Sequence, residues 1–383
     1  MRGDFLDQIP CDNSLAALLI LRPATISRRF DAVWVSYRTQ LTEKPPERIE
    51  INLPSTWTLY ERYFGSRGYV VRPSDKLSYT NALFDLAGGL GGGAVFRSRV
   101  AAEILDLLSD KSTKKLAQEI KRQVAGLDKI SVEDVENAVA AAGAIPRYQR
   151  VPYSFLNLYS MLKSKLDHAQ CLQILSALVN VGAIHRGFNI TCPRCNVTLW
   201  YGLNNLSERI TCAGCLTPFP LPLAASSQAK EDLPVQYALN PLTNRAMDQD
   251  VLPVLLALET LREIHPQMYH VAPGVAFRPA QASAVEGDFD FLYVYKSALY
   301  AGECKSGGRV SEKDISTTLR VARAVGIRAF FFVSLAGFSE ESLRLIEQAA
   351  SAGDRDDASS CQVFIIEVDC LFGEASLPKS IPR

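Results

Sequence analysis

The chain reads as a multidomain α/β protein in which a helical, winged-helix-like region and a zinc ribbon precede a carboxy-terminal α/β core. Three observations predict this: a length of 383 residues, two C-x-x-C pairs near the middle, and strand-like and helix-like segments alternating beyond residue 240. A chain this long exceeds what one hydrophobic core usually organises, so two to four domains are expected. Hydrophobic residues make up 48% and charged residues 21%, the composition of a folded protein rather than a disordered one.

The 41 basic and 41 acidic residues cancel. Net charge therefore announces no nucleic-acid partner, and any basic surface must be local. This counts against an indiscriminate DNA coater and leaves an enzyme open. No stretch reaches ~18 consecutive apolar residues, so no membrane span is expected. Met1 to Asp7 carries acidic residues where a signal peptide would carry a basic region and an apolar run. A cytoplasmic location with reduced thiols is the expectation. Of nine cysteines, Cys11, Cys171, Cys361 and Cys370 read as packing residues.

Residues 1–95 form a mixed α/β module of unknown role. Asp31-Ala-Val-Trp-Val-Ser and Arg48-Ile-Glu-Ile-Asn-Leu read as strands, and the aromatic-rich Trp57 to Phe64 as a helix or a strand. The glycines from Gly88 to Gly93 fit G-x-G-x-x-A spacing through Gly89, Gly91 and Ala94. No strand precedes them and no Gly-Lys-Ser/Thr follows, which favours a tight loop or hinge over a phosphate loop.

Residues 96–190 turn helical. Val100, Ile104, Leu105, Leu107 and Leu108 form an apolar stripe, Ser112 opens a second helix, and Ser131 caps a third. Ala138-Val-Ala-Ala-Ala-Gly143-Ala-Ile-Pro-Arg147 is echoed by Ala177-Leu-Val-Asn-Val-Gly182-Ala-Ile-His-Arg186. Helix, glycine, then strand is how the last helix of a winged helix enters its wing; a plain helical spacer is the rival reading. Lys114, Lys115, Lys121 and Arg122 read as a solvated face.

Cys192-Pro-Arg-Cys195 and Cys212-Ala-Gly-Cys215 are two knuckles with sixteen residues between them, a spacing suited to a four-cysteine zinc site. Val197-Thr-Leu-Trp-Tyr201 and Glu208-Arg-Ile-Thr211 read as its hairpin strands, giving a ribbon over 191–223. A closed four-thiolate site points to a structural Zn²⁺ rather than a catalytic one. Trp200 and Tyr201 read as a cover for the small core, with base stacking as the rival. Ala224 to Asp232 is a polar linker, and a last domain spans 240–383.

That domain opens with an apolar helix, Val251 to Glu263, which bears Glu259 and Glu263. In Glu286-Gly-Asp288-Phe-Asp290-Phe-Leu-Tyr-Val294, strict alternation marks a strand with Asp288 and Asp290 on one face. After a four-residue turn, Leu299-Tyr-Ala-Gly-Glu303-Cys304-Lys305 puts Glu303 and Lys305 on one face and Cys304 on the other. A hairpin thus brings Asp290, Glu303 and Lys305 together. Two carboxylates converging with an ammonium are costly unless a metal neutralises them, and hard oxygen ligands suit Mg²⁺ or Mn²⁺.

This stretch resembles the PD-(D/E)xK, restriction-endonuclease-like nuclease superfamily. Asp290 matches the family's motif aspartate and Glu303-Cys304-Lys305 its E-x-K element. Ser306-Gly-Gly resembles the loop after the family lysine, Ser311 to Val325 the crossover helix, and Ala329 to Val333, Ser339 to Ala352 and Val363 to Val368 the strand, helix and strand that follow. The resemblance covers roughly residues 245–370. It implies a restriction-endonuclease-like fold, with Asp290, Glu303 and the Cys304 backbone carbonyl as metal ligands and Lys305 acting on the nucleophile. It also implies a further acid from the preceding helix, Glu259 or Glu263. Many relatives carry a Gln after the lysine; here Arg320 and Arg323 are the basic alternatives.

The expected function is a divalent-metal-dependent nuclease, an endonuclease on DNA rather than RNA because most of that family cut DNA. Bacterial defence, restriction or repair would be its setting, with an activating protein partner admitted. The rival is a regulatory protein that binds nucleic acid or a partner and carries an inert or partner-gated nuclease fold.

Overall fold

The computed structural model describes residues 24–29, 32–37, 48–52, 55–89, 92–109, 152–221, 235–352, 361–374 and 378–381. In chain order, β1 (Ala24–Arg29), β2 (Ala32–Tyr37) and β3 (Arg48–Asn52) precede α1 (Thr56–Gly65), β4 (Tyr69–Pro73), α2 (Lys76–Leu86) and α3 (Arg99–Leu108). Next come β5 (Tyr153–Ser154), α4 (Phe155–Leu162), α5 (His168–Asn180), β6 (Ile184–Thr191), β7 (Thr198–Gly202), β8 (Arg209–Thr211) and β9 (Pro218–Pro220). Then follow β10 (Gln236–Leu239), α6 (Pro241–Asp248), α7 (Val251–Ile264), β11 (Tyr269–Pro279), β12 (Gly287–Tyr295) and β13 (Ala298–Lys305). The chain continues through α8 (Glu312–Ala324), β14 (Ala329–Ser334), α9 (Glu340–Ser351), β15 (Gln362–Ile366), α10 (Val368–Leu371) and β16 (Lys379–Ser380). None of the described helices is long and apolar enough to cross a membrane.

Two compact units result. One holds Met1–Leu77, Thr260–Cys370 and Ser376–Arg383; the other holds Ser78–Glu259 and Leu371–Ala375. In the first, β1, β2 and β3 form an antiparallel meander. A seven-stranded sheet runs in the order β16-β15-β14-β13-β12-β11-β4. The neighbours β13, β14 and β15 are parallel, and the other pairs antiparallel. β14, Ala-Phe-Phe-Phe-Val-Ser, is buried at every position, as a parallel strand covered on both faces must be.

Phe330 and Phe332 join Leu299, Ala301, Val363 and Ile365 in a core with α1 and α8. The alternate residues Phe331, Tyr300 and Phe364 stack in a row with Tyr293, with ring centroids 5.0–6.5 Å apart. Fully buried rings such as Phe330 and Phe332 contribute ~1.5–3 kcal/mol each. The segment that reads as helix or strand, Trp57 to Phe64, is helical because its buried set, Leu59, Tyr60, Tyr63 and Phe64, recurs at one and four residues. The Ser55 side chain caps it by accepting from Thr58 N–H. Tyr63 Oη donates to the Val325 carbonyl at 2.8 Å.

In the second unit the described strands form a four-stranded sheet, β5-β10-β6-β7, and the pair β8-β9. A capping box of Asp167 and Gln170 opens α5. The helix ends at Gly182, whose φ is +76°, where Ala183 N–H reaches Leu178 O and Gly182 N–H reaches Val179 O. This Schellman ending turns the chain into β6, so the expected helix–glycine–strand run is present here. Its upstream echo, the Ser112 and Ser131 helix starts and the four basic residues Lys114, Lys115, Lys121 and Arg122 lie outside the described residues. Gly88 and Gly89, with φ of +83° and +91°, close α2, which accounts for the start of that glycine run; Leu90 and Gly91 are outside the described residues.

Boundaries are expected near residues 95 and 240; the two compact units divide the chain after Leu77 and after Glu259. β4, from the first ninety-five residues, is an edge strand of the seven-stranded sheet. β10, α6 and most of α7 belong to the other unit, together with the ribbon. Composition marks where the chain changes character, whereas strand pairing decides where a segment packs. The last core strand stops at Ile366, because α10 begins two residues later, and β16 adds an edge.

The β12–β13 turn closes on Tyr295↔Ala298, with Lys296 and Ser297 both left-handed at φ of 47° and 61°. Such a two-residue turn favours Asn-Gly, and each ordinary residue held there costs roughly 1–2 kcal/mol. Replacing the pair by Lys296→Asn with Ser297→Gly is expected to stabilise the protein by about 1 kcal/mol, partly offset by losing the Lys296 contact with the Tyr295 ring. The urea midpoint is the measurement, and a lowered midpoint would contradict the strain argument.

Candidate active site and metal centre

β12 and β13 pair through Phe291↔Gly302, and one further step of that register sets Asp290 beside Glu303. The ladder ends there because Asp290 Oδ2 accepts the Cys304 N–H at 2.6 Å. Both acids are buried, at 1% and 5% exposure. Lys305 turns its ammonium back onto Glu303, with Nζ 2.6 Å from Oε1. The structure thus gathers Asp290, Glu303 and Lys305 at the carboxyl end of β13, and Cys304 is buried. Asp288, on β12 as expected, is half exposed at its edge.

A second lysine, absent from the sequence reading, completes the network. Lys76 Nζ lies 2.6 Å from Asp290 Oδ1 and 4.0 Å from Asp288 Oδ2. Nothing local marks it: it precedes Asp290 by 214 residues, and only the pairing of β4 with β11 brings it here. The faint signal was Tyr69-Val-Val, a β-forming run followed by Pro-Ser-Asp.

Charge follows geometry. Burial, and then the charge of Asp290, push the Glu303 carboxyl up to about 8 against the pull of Lys305. Burial and Asp290 also raise Asp288. Burial works against the Lys76 ammonium, but Asp290 and Asp288 carry it well above the ordinary lysine range. Lys305 is likewise raised, burial being outweighed by Glu303. Burial lifts the Cys304 thiol far above its usual range, so it is not a nucleophile at neutral pH. Converging hard oxygens that lack enough positive charge to ionise freely are a donor set that fits Mg²⁺ or Mn²⁺.

The loop after Lys305 is pinned: Ser334 Oγ donates to Gly307 O at 3.0 Å, and Ser339 N–H donates to Gly308 O at 2.9 Å. The two arginines of α8 have partners within the fold. Arg320 is paired with Glu286, while Arg323 donates to Ala349 O and Ala350 O at 2.8 and 3.1 Å, closing the end of α9. On α7, Glu263 is exposed, whereas Glu259 is buried and packs close to Gly93.

In the other unit, Cys192, Cys195, Cys212 and Cys215 converge, with all four sulfurs within 4.8 Å of one another. Cys192 and Cys215 stand 3.7 Å apart and Cys195 and Cys212 3.6 Å, close to the ~3.8 Å edge of a tetrahedron with Zn–S of ~2.3 Å. The four cysteines can hold a metal ion such as zinc. The knuckles are near copies. Asn196 and Leu216 each follow the second cysteine with φ of 56° and 57°, and each donates its N–H to the carbonyl of the first cysteine. Thr217 lowers Cys215 to about 6. The Val197 backbone pulls Cys195 down, but burial and its cysteine neighbours push it up to about 12. Four thiols this close ionise together only around a cation. Trp200 lies over the cross-strand pair Gly187↔Gly202, where a Cβ on Gly187 would come within 2.7 Å of its ring. Tyr201 packs on the ribbon core. Both are half-buried and also line a cleft with Asn189, Asn205 and Arg209.

No protein-family model matches this sequence, and no curated protein matches it. Among the solved structures that the chain is similar to are the following two. Protein VC1899 from Vibrio cholerae is 11% identical, with a TM-score of 0.35 over 94% of this chain and 70% of that one. Can2 from Sulfobacillus thermosulfidooxidans, solved in complex with cyclic tetra-adenylate, is 8% identical, with a TM-score of 0.31 over 92% and 68%. Overlap this loose assigns the chain neither a family nor an activity.

Freshly purified protein is expected to carry one zinc per chain by metal analysis. Cys212→Ser should lose it and melt well below wild type, since a structural zinc contributes directly to folding; a zinc-free native protein refutes the assignment. Glu303 gives a pH test. Its pKa rises from 4.5 to about 8 on folding, so the folded state holds the proton more tightly. The associated stability is present below pH 4.5 and is lost as pH rises through about 8. In zinc-loaded protein without Mg²⁺ or Mn²⁺, the unfolding free energy of wild type from urea titration should fall between pH 5 and 8 relative to Glu303→Gln, by an amount on the order of a few kcal/mol. Parallel pH profiles would contradict this.

Proposed function

We propose that the chain is a divalent-metal-dependent nuclease that hydrolyses phosphodiester bonds, with DNA as its substrate. What carries the reading is the buried convergence of Asp290 and Glu303 with the Lys305 ammonium at the end of a core strand. Asp290, Glu303 and the Cys304 carbonyl would hold Mg²⁺ or Mn²⁺, with Asp288 as an additional acid at the rim. Bound there, the ion supplies Lewis acidity at a phosphoryl oxygen and acidifies water. The chain does the positioning. The Cys304 N–H fixes the rotamer of Asp290, and Glu303 aims Lys305, whose ammonium orients the attacking water and balances charge developing on the phosphate. Of the helix-borne acids, Glu259 and Glu263, neither is given a part.

The four-cysteine ribbon is read as a zinc-stapled platform rather than a second catalytic centre. A cleft of about 840 Å³ lined by Asn189, Thr198, Asn205, Ser207 and Arg209 offers it polar groups for recognition. The α5–β6 run supports a winged-helix-like part in the same task.

The experiment is cleavage of plasmid and single-stranded DNA with Mg²⁺ or Mn²⁺. Lys305→Ala should lose about a hundredfold or more, the loss typical of removing one charge-stabilising donor, while keeping its zinc and its fold. Cleavage that survives Lys305→Ala unchanged would sink the reading.

A further inference from the structure

Lys76 occupies a position that the fold goes out of its way to build. β4 lies on β11 and β11 on β12, so Arg72, Ala276 and Asp288 form one row across three strands. Leaving β4, the chain turns at Ser74, whose N–H donates to Gly274 O at 2.9 Å and whose carbonyl accepts Leu77 N–H at 3.1 Å. Gly274 has φ of +68°, and a Cβ there would come 2.3 Å from Ser74 Oγ and 3.2 Å from Leu77 N. Only glycine lets the turn lie this close.

The turn makes Lys76 the first residue of α2. The amino end of a helix dipole disfavours a cation, so the lysine is set there against local preference. What it gains is two carboxylates: Asp290 at 2.6 Å and Asp288 at 4.0 Å, with its side chain only 26% exposed. Lys76 thus sets a positive charge beside two acids spaced two residues apart on one strand. Lys305, in contrast, is engaged with Glu303.

We propose that Lys76 is the built-in second cation of this site, so that the site takes one divalent ion, on the Glu303 side of Asp290, and not two. The inference rests on the metal-site reading given above. With Glu303 ionised, as a metal ligand must be, three carboxylates and two ammonium groups leave one negative charge. One divalent ion brings the cluster to one positive charge; a second would bring it to three, and would have to displace Lys76 from Asp290 first. The protein thus supplies from its own chain the charge that a two-ion nuclease takes from solution.

The test is Mn²⁺ binding to the full-length, zinc-loaded chain, counted by electron paramagnetic resonance of free Mn²⁺ together with calorimetry. Thiolates retain zinc against Mn²⁺, so the ribbon does not enter the count. Wild type is expected to bind one Mn²⁺, Lys76→Arg one, and Lys76→Gln two. Lys76→Met, which keeps the packing of the stem, serves if Lys76→Gln fails to fold, and should also bind two. Two ions on wild type overturn the role of Lys76 and leave the metal site standing. One ion on both charge-removing variants also overturns it, since the second seat is then not the lysine's. No Mn²⁺ on wild type overturns the metal-site reading, and this inference with it.

Discussion

The carboxylate of Asp290 is the joint on which this site depends. One oxygen takes a backbone N–H of the neighbouring strand and the other takes an ammonium, both at 2.6 Å. A charge with 1% exposure is tolerated only when so completely satisfied; leaving such a group without a partner costs about 3–5 kcal/mol. Asp290 is therefore structural and chemical at once. It ends the β12–β13 ladder, seats the segment after β4, and by its field adds to the burial that keeps the Glu303 carboxyl reluctant to ionise. Disturbing it would disturb all three.

Two kinds of ligand chemistry are kept apart in this chain. Four soft sulfurs, arranged by twin knuckles in a near-tetrahedron, suit zinc and leave no open position. The hard oxygens of Asp290 and Glu303 suit a cation that exchanges ligands with water and phosphate. The strain of the knuckles falls on Asn196 and Leu216, both left-handed. Asn tolerates that conformation and Leu does not, so in the second knuckle the four-sulfur cluster holds a backbone that the sequence itself resists.

Much of this could be read from residues alone where the signal is local. Alternation in Asp288-Phe-Asp290 and the two-residue spacing of Glu303 and Lys305 dictate which side chains share a face. The cysteine spacing announces the ribbon, and Ser311 and Ser339 mark the helix starts they cap. What escaped is non-local. Lys76 reaches its place through the register of β4 on β11, which no window of sequence contains. The partners of Arg320 and Arg323, Glu286 and the end of α9, are likewise set by the fold and not by local sequence. The left-handed Lys296 and Ser297 carry no glycine to betray the turn. The place of β4 at the sheet edge is non-local for the same reason as that of Lys76, since neighbours in the sheet and not neighbours in sequence set it.

That edge strand has a consequence for how the protein is made. Lys76 leaves the ribosome 214 residues ahead of Asp290, and at roughly 5–20 residues per second β4 waits on the order of ten to forty seconds for its partner. Through that interval Tyr69-Val-Val is an unpaired strand, open to association with other nascent chains. Arg72 and Pro73 close the run with a charge and a missing N–H, the two features that make a strand a poor template. The same long separation that brings Lys76 to Asp290 thus leaves this short strand in need of protection while the chain is being synthesised.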